Sequence, residues 1–378
     1  MPPIRVLVVD DTVVVRRLVA DVIAGAEGIE VVGTAAHGQL ALDQIPVCKP
    51  DVVTLDVEMP VMDGLATLAE IRKRWPKLPV IMFSTLTSRG ASATLDALAL
   101  GANDYVTKPT ALRDREAALA AVRSSLVPLL KLWGRVGAAD ARRSAAGPTA
   151  APAPDRTVPA APVAPAPRQP ELDGRPPLGV VIGVSTGGPV ALSTVVPALP
   201  ADLGVPVVIV QHMPPVFTKL LAERLDAASP LDVVEAADLM PLTPGRVYIA
   251  AGGFHLTMTT VRGMQVLRLD DGPMENSCKP AVDVTLRHAK ALWGPRTLTV
   301  ILTGMGSDGL AGARDLRAAG GRVIAQDAET SVVWGMPGAV TKAGVADSVL
   351  PLSRIAPTIV DTVRGARTAV PTAAGVLR

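Results

Sequence analysis

Short apolar runs separated by segments of helical periodicity recur over residues 4 to about 130. The first run, Ile4–Val9, precedes residues 12–24, whose apolar side chains are spaced as in an amphipathic helix. Strands that alternate with helices favour a parallel sheet with right-handed crossovers. In this part of the chain we predict strands at 4–9, 31–35, 51–55, 80–83 and 104–106.

The same alternation returns from Leu178 to the C-terminus and predicts a second α/β domain. Two short runs around a turn at 260–263 predict a hairpin added to a parallel core. The predicted core strands are 179–184, 205–210, 246–250, 297–302 and 321–325, with the hairpin strands at 255–258 and 264–269.

The composition changes between these two stretches. Residues 150–170 are mostly Ala and Pro without an apolar period, so they bury too little surface to offset the entropy of ordering. Such a segment is expected to be a solvated, semi-extended tether. We therefore predict a first domain over 1–125, a linker over 126–177 that is disordered over 145–177, and a second domain over 178–370.

The composition also limits the class of protein. A chain of 378 residues suits two domains, and with 2% aromatic residues the cores must be aliphatic. A net charge of +2 indicates no strong attraction to nucleic acid or to membranes. The two cysteines, Cys48 and Cys278, make no disulfide framework, and their spacing fits no metal site. With no signal peptide and no long apolar run, we expect a cytoplasmic protein without membrane insertion.

Five polar residues follow the predicted strands of the first domain. Asp10 and Asp11 come after the first strand, Asp56 after the third, Ser84 after the fourth and Lys108 after the fifth. The carboxyl ends of parallel strands meet in one crevice, and clustered carboxylates there suit Mg²⁺. A single aspartate at a strand end is more often a cap or turn residue. Together the five predict a phosphoryl-transfer pocket in which Asp56 is the acceptor and the lysine and serine contact phosphoryl oxygens.

These residues resemble those of the receiver domain of two-component response regulators. The matching motifs are Val8–Asp11, Asp56–Gly64, Ser84 and Gly101–Pro109. The resemblance implies a flavodoxin-like (βα)5 fold and phosphorylation of Asp56 by a histidine kinase. It also implies Mg²⁺ held by Asp10 or Asp11, Asp56 and the Val57 carbonyl. The positions that it assigns to the phosphorylation switch are Ser84, Tyr105 and Lys108.

A serine lies on a glycine-rich turn at the start of the second domain. The segment Gly183–Gly187 matches G-x-S-x-G, the nucleophile elbow of α/β-hydrolases, but that fold places its histidine last, and here His212 follows Ser185 closely. The chain order thus disfavours the α/β-hydrolase fold, but it is compatible with a serine nucleophile and a histidine base. A phosphate cradle is the other interpretation of such a turn. Neither a Walker lysine nor G-x-G-x-x-G is present to support it.

His212 and Asp308 each follow a different predicted strand of the second domain. Singly, the histidine favours a structural role and the aspartate a helix cap. With Ser185 they supply a nucleophile, a base and an orienting carboxylate at one edge of a parallel sheet. Backbone N–H groups at Thr186 and near Met305 are candidates for stabilising an oxyanion.

The second half resembles the catalytic domain of the chemotaxis protein-glutamate methylesterases, the CheB family. The motifs are 183–188, 211–215 with 217–218, 280–283, 302–309, and 325–327 with 335–337. Receiver, tether and esterase in this order is that family's architecture. Three features depart from the family pattern, namely the long Ala/Pro tether, Cys278–Ala281 and Val13–Val15.

This resemblance implies a doubly wound, mostly parallel α/β methylesterase domain with catalytic Ser185, His212 and Asp308. It implies demethylation of γ-glutamyl methyl esters, and deamidation of glutamines, on methyl-accepting chemotaxis receptors, which gives sensory adaptation. It implies no cofactor for the ester chemistry. It further implies that the unphosphorylated receiver blocks the esterase and that phosphorylation relieves the block.

The sequence disfavours two other classes of function. A binding-only regulator would leave Ser185 a bystander, which the intact Ser, His and Asp set disfavours. A DNA-binding output domain is disfavoured by the small net charge and by the lack of a basic recognition helix.

Overall fold

The chain divides into two units, Met1–Pro167 and Arg168–Arg378. A computed structural model describes residues 2–109, 114–145 and 172–365, with the backbone alone over 138–145. Most of the predicted tether, residues 146–171, therefore lies outside the described residues.

The first unit has a parallel sheet in the order β2-β1-β3-β4-β5, which is the flavodoxin-like order and confirms the predicted fold class. Its strands are β1 (Ile4–Val9), β2 (Ile29–Ala35), β3 (Val52–Asp56), β4 (Val80–Ser84) and β5 (Asp104–Thr107). Its helices are α1 (Val13–Ala24), α2 (Gly38–Cys48), α3 (Gly64–Arg74), α4 (Ser88–Ala99) and α5 (Arg115–Ala145). Every residue of β3 and β4 is buried, because helices cover both faces of a parallel sheet.

Helix α5 continues well past residue 125, where we predicted the linker to begin. It packs against α1 and against the sheet, and it buries Leu126, Leu130 and Trp133. These residues recur at helical spacing, so 126–137 extends the apolar face of the helix, and assigning it to the linker was wrong. Within the described ranges, Arg115–Gly137 is also the one helix long and apolar enough to cross a membrane, by length and composition only. Its buried face makes it a core helix of the first unit.

The second unit has a sheet of seven parallel strands in the order β14-β13-β12-β6-β7-β9-β8. Its strands are β6 (Gly179–Val184), β7 (Val207–Gln211), β8 (Asp232–Glu235), β9 (Arg246–Ile249), β10 (His255–Val261), β11 (Met264–Asp270), β12 (Thr297–Ile301), β13 (Arg322–Gln326) and β14 (Ser348–Leu350). Its helices are α6 (Gly188–Val195), α7 (Phe217–Ala228), α8 (Val282–Trp293), α9 (Leu310–Ala318), α10 (Met336–Lys342) and α11 (Leu352–Val363), with a 3₁₀ turn at Gly294–Arg296. The sheet has helices between its strands, which confirms the doubly wound class.

The predicted hairpin is present as β10 and β11, which pair with each other in a separate antiparallel sheet. Its turn has positive φ at Arg262 and Gly263, the conformation of a type I′ turn. The two edge strands β8 and β14 were not predicted. They have four and three residues, too short for a period to stand out.

The end of the predicted linker is attached to the second unit. The Asp173 N–H donates to the Gly320 carbonyl at 2.9 Å, and Arg296 Nε donates to the Pro176 carbonyl at 2.9 Å. These bonds fix the chain direction before β6, so residues 173–176 are ordered on the second unit and their assignment to a disordered linker was wrong.

The packing of α8 on β6 requires a glycine at position 179. A Cβ there would overlap Cη2 of the buried Trp293 indole. We expect Gly179→Ala to destabilise the second unit by about 1–3 kcal/mol through overpacking. Thermal unfolding of the full chain should show the transition of this unit lowered by several degrees.

Gly174→Ala is the matched control for this substitution, because a Cβ at that position meets nothing within 4 Å. Equal melting temperatures for the two variants would contradict the packing argument.

Candidate functional site

Ser185 lies directly after β6, on a turn that leads into α6. Its N–H donates to the Thr303 carbonyl at 3.0 Å, and its carbonyl accepts from Gly188 N at 2.7 Å and from Gln211 Nε2 at 3.1 Å. Gly187 caps the helix with φ 76°, a conformation that favours glycine. The backbone of the serine is thus held on both sides at the carboxyl edge of the sheet.

His212 follows the neighbouring strand at the same height. The β6/β7 register pairs Val184 with Gln211, and the His212 N–H donates to the Val184 carbonyl at 3.1 Å. Ser185 and His212 are the first residues after the two ends of this register. The two strands therefore bring them to the same edge of the sheet.

The side chain of His212 is bonded to Asp308. Nε2 lies 2.8 Å from Oδ2, and the two side chains are 11% and 3% exposed. An ionised carboxylate only accepts hydrogen bonds, so Nε2 carries a proton, and in the neutral imidazole Nδ1 is the nitrogen with the free lone pair. This pairing makes Nδ1 the atom that can take a proton from a nucleophile.

Asp308 is the most heavily bonded group of the site. Besides His212, it accepts hydrogen bonds from the N–H groups of Val282 (2.6 Å), Asp283 (3.1 Å) and Gly309 (3.0 Å) and from Asn276 Nδ2 (2.8 Å). Burial raises the pKa of Asp308, but His212 and the backbone donors outweigh burial and lower it to about 2. The carboxylate is therefore held ionised beside the imidazole.

Two residues that the sequence reasoning missed complete this surrounding. Asn276 Nδ2 bridges Asp308 Oδ1 and Asp283 Oδ2, at 2.8 and 3.0 Å. Cys278 Sγ lies 3.5 Å from His212 Nδ1. The sequence signal for Cys278 was the segment Cys278–Ala281, which departs from the family pattern; Asn276 lies just before that segment and had no such signal.

The raised pKa of His212 follows from these neighbours. Burial lowers it, but the hydrogen bonds to Asp308 and Cys278 outweigh burial and raise it to about 9. The site thus stabilises an imidazolium.

Within the described part of the chain, the Ser185 hydroxyl forms no hydrogen bond to His212, and Nδ1 faces the thiol instead. Catalytic hydrogen bonds of free enzymes are often long and tighten on substrate binding.

Thr186 and Met305 lie on the two loops that flank Ser185. The Thr186 carbonyl accepts from Thr303 Oγ1 at 2.9 Å, which joins the two loops. A Cβ at Gly304 would lie 2.8 Å from Ser185 Cβ, so the second loop passes very close to the serine. Among the described residues, neither the Thr186 nor the Met305 N–H has a hydrogen-bond acceptor. The loops on either side of Ser185 therefore each carry a backbone N–H donor without an acceptor.

The first unit assembles the acidic pocket that the sequence predicts. Lys108 Nζ lies 2.8 Å from both Asp10 Oδ2 and Asp56 Oδ2, and both aspartates are buried. Burial and the Asp10 charge raise the pKa of Asp56 to about 6, although Lys108 opposes this shift. Burial lowers the pKa of Lys108, but the two carboxylates outweigh it and raise it. The lysine thus neutralises part of a strongly repelling pair.

The donor set of this pocket fits Mg²⁺. Asp10, Asp11 and Asp56 each offer a carboxylate oxygen within 4.8 Å of the others, and Asp11 is exposed. Hard oxygen ligands with access to water are what Mg²⁺ prefers. The Val57 carbonyl, which the receiver resemblance offered as a further ligand, accepts a hydrogen bond from Gly64 N at 2.9 Å. A cavity of about 520 Å³ that Asp11, Val57 and Glu58 help to line opens beside the carboxylates.

The other two switch candidates lie on β4 and β5 of the same sheet. Ser84 is buried, and its hydroxyl donates to the Gly90 carbonyl at 3.0 Å. The Ser84 carbonyl accepts from Lys108 N at 2.6 Å, which ties β4 to the loop after β5. Tyr105 is half-buried on β5, and burial raises the pKa of its hydroxyl. Ser84 thus starts from a buried position at the end of β4, and Tyr105 from a partly buried one on β5.

Fold and sites together define the class of this protein. It is a receiver of the two-component type joined to an α/β unit with a hydrolase-like set of side chains. Residues 6–120 match the response regulator receiver domain model, and residues 180–359 match the CheB methylesterase model. The chain belongs to the CheB methylesterase family.

Several known proteins are similar to the whole chain or to its second half. A protein-glutamate methylesterase/protein-glutamine glutaminase of a Nocardioides species is 51% identical over 363 residues, 95% of each chain. One of Trichodesmium erythraeum is 45% identical over 361 residues, 95% of this chain and 99% of that one. The crystal structure of the Thermotoga maritima CheB methylesterase catalytic domain is 48% identical and covers 49% of this chain and 98% of that one, with a TM-score of 0.48.

The bridge made by Asn276 keeps two neighbouring carboxylates in place. We expect Asn276→Gly to lower the kcat for ester hydrolysis about tenfold to a hundredfold, because Asp308 then shifts and misorients His212. Steady-state kinetics on a glutamyl methyl ester peptide would measure this, with KM changed less than kcat.

Ser277→Gly is the control for the backbone at this turn. Both positions have positive φ, 54° and 61°, so glycine relieves the same strain in each variant. Equal losses of activity in the two variants would assign the effect to the backbone and not to the amide.

Proposed function

We propose that this chain is a receiver-controlled protein-glutamate methylesterase and protein-glutamine glutaminase whose catalytic residues are Ser185, His212 and Asp308. The observation that supports the assignment is the His212–Asp308 pair, bonded at 2.8 Å, with Ser185 and His212 each following the end of one of two paired strands. The names of relatives up to 51% identical supply the reaction.

In the proposed first step, His212 Nδ1 takes the proton of Ser185 Oγ as the oxygen attacks the carbonyl carbon of a γ-glutamyl methyl ester. Asp308 holds the ring through Nε2 and stabilises the imidazolium that forms. The Nδ1–Sγ contact gives way during this step, because the same nitrogen cannot serve both groups.

The negative charge that develops on the carbonyl oxygen needs donors that are already in place. The free N–H groups of Thr186 and Met305 support this role, and one such donor is worth about 3 kcal/mol in the transition state. The imidazolium then protonates the leaving methanol. Water, activated by the same imidazole, cleaves the acyl-enzyme and frees the glutamate side chain and the serine.

A side-chain amide presents the same carbonyl geometry as the ester, with ammonia as the leaving group. The machinery that cleaves glutamyl methyl esters thus also serves glutamine deamidation. The substrates we propose are methyl-accepting chemotaxis receptors, and the consequence is sensory adaptation.

Control is proposed to come from the first unit. A chemotaxis histidine kinase supplies the phosphoryl group to Asp56, and Asp10 and Asp11 help to hold the Mg²⁺ that neutralises the added charge when it is bound. Lys108 is within reach of the new phosphoryl oxygens, and Ser84 and Tyr105 rearrange in response. Added charge at one site shifts an equilibrium between two states. Here the proposed states are the inhibited and the active esterase.

The proposed place of action is the cytoplasm. Both cysteines, Cys48 and Cys278, are free thiols, which suits a reducing compartment.

The nucleophile is tested by Ser185→Ala. We expect methanol release from methylated receptors to fall by at least about 10⁴-fold, because the variant lacks the oxygen of the proposed nucleophile. Phosphorylation of Asp56 in the same variant should remain at the wild-type level, which controls for folding of the first unit. Near-normal methanol release would favour the binding-only alternative.

Receiver control is tested by Asp56→Asn. We expect the variant to keep its basal esterase rate and to lose stimulation by a small-molecule phosphodonor with Mg²⁺, since the amide cannot accept the phosphoryl group. Removal of Mg²⁺ by a chelator should abolish the stimulation of the wild-type chain. Asp43→Asn, at an exposed position of α2, is the matched control and should retain stimulation.

A further inference from the structure

Cys278 has no part in the proposed reaction, although its sulfur is the closest described side-chain partner of the catalytic nitrogen. Sγ lies 3.5 Å from His212 Nδ1, and one ligand atom from each of His212, Cys278 and Asp308 lies within 4.8 Å of the other two. An imidazole nitrogen, a thiolate and a carboxylate are the ligand types of zinc sites.

We propose that His212 Nδ1 and Cys278 Sγ bind a thiophilic divalent cation of the Zn²⁺ class, and that the bound ion inhibits the esterase by occupying the nitrogen that must accept the serine proton. The binding site follows from the geometry alone. The inhibition rests on the proposed function.

The spacing of the two ligand atoms is that of a tetrahedral ion. Bonds of about 2.0–2.1 Å to nitrogen and about 2.3 Å to sulfur at the tetrahedral angle put the two atoms about 3.5 Å apart. The observed separation is 3.5 Å. An ion can thus enter with little movement of either side chain.

Asp308 is placed to orient the histidine and not to bind the ion directly. Its two oxygens already accept five hydrogen bonds, one of them from His212 Nε2. A carboxylate that holds the far nitrogen of a metal-bound histidine fixes its tautomer and raises its basicity. The free lone pair is then on Nδ1, the side that faces the thiol.

A tight turn holds Cys278 in place. Glu275 and Cys278 exchange backbone hydrogen bonds of 3.1 and 2.9 Å across Asn276 and Ser277, which both have positive φ. The next residue, Lys279, is held in turn, because its Nζ donates to Asp271 Oδ1 at 2.7 Å and to the Gly272 carbonyl at 3.2 Å. Cys278 is half-buried, so water can complete the coordination of the ion.

Direct binding is measured with Co²⁺, which replaces Zn²⁺ and gives a thiolate-to-metal charge-transfer band. The reduced full chain should show this band, and so should Cys48→Ala, whose sulfur belongs to no ligand group among the described residues. Cys278→Ala should lack it, and Cys278→Ser, of nearly equal size, should also lack it. The carboxylates of the receiver pocket can bind Co²⁺ but have no sulfur, so they do not contribute to the band. A band that persists in both Cys278 variants, or none in the wild-type chain, would overturn the site.

Inhibition is measured as the esterase rate of each variant relative to its own metal-free rate. Micromolar Zn²⁺ should slow the wild-type and Cys48→Ala chains at least about tenfold. In the two Cys278 variants, which lack one ligand, the Zn²⁺ concentration needed for the same inhibition should be about 10- to 100-fold higher. A chelator should restore the rate, and equal Mg²⁺ should not inhibit. If the cobalt band forms but zinc leaves the rate unchanged or raises it, the inhibition is wrong and the binding site stands. A metal-free chain without esterase activity would instead refute the proposed function.

Discussion

The Asp308 carboxylate is the interaction on which the second unit's site depends. It joins the loop after β12, the first turn of α8, the turn at Asn276 and the ring of His212. A buried carboxylate is costly unless several donors satisfy it, and here backbone N–H groups of three residues do so. The same bonds that stabilise its charge fix where the imidazole lies.

Both units place their chemistry at the carboxyl edge of a parallel sheet. In the first unit, one buried acidic side chain follows β1, another is the last residue of β3, and the lysine follows β5. In the second unit, β6 lies between β12 and β7, at the point where the strand order reverses. Loops leaving neighbouring strands in opposite directions open a crevice there, and residues distant in the chain meet in it.

The electrostatic designs of the two sites differ. Asp56 is buried beside another carboxylate, so its pKa is raised, and a cation is needed to balance the pocket. Asp308 is equally buried but surrounded by donors, so its pKa is lowered. The first arrangement favours a group that receives a phosphoryl under control of Mg²⁺ and Lys108. The second favours a permanent anion that supports an imidazolium.

The fold could be predicted from sequence to a large extent. Apolar runs such as Gly179–Val184 located most strands within one or two residues, because buried parallel strands are nearly continuous in Val and Ile. The exceptions have physical causes. β8 and β14 are short edge strands, and residues 126–137 continue a helix whose apolar spacing runs on beyond the receiver motif.

The sequence by itself determined the residue types of both sites and the edge of the sheet on which each lies, since the position after a strand is a local property. Only the tertiary structure decided which groups touch. Asn276 and Cys278 reach the site from a turn with two positive-φ residues, and no periodicity reports where such a turn points. The contact between Cys278 and His212 joins residues 66 positions apart, so it exists only once β7 and the segment before α8 have packed together.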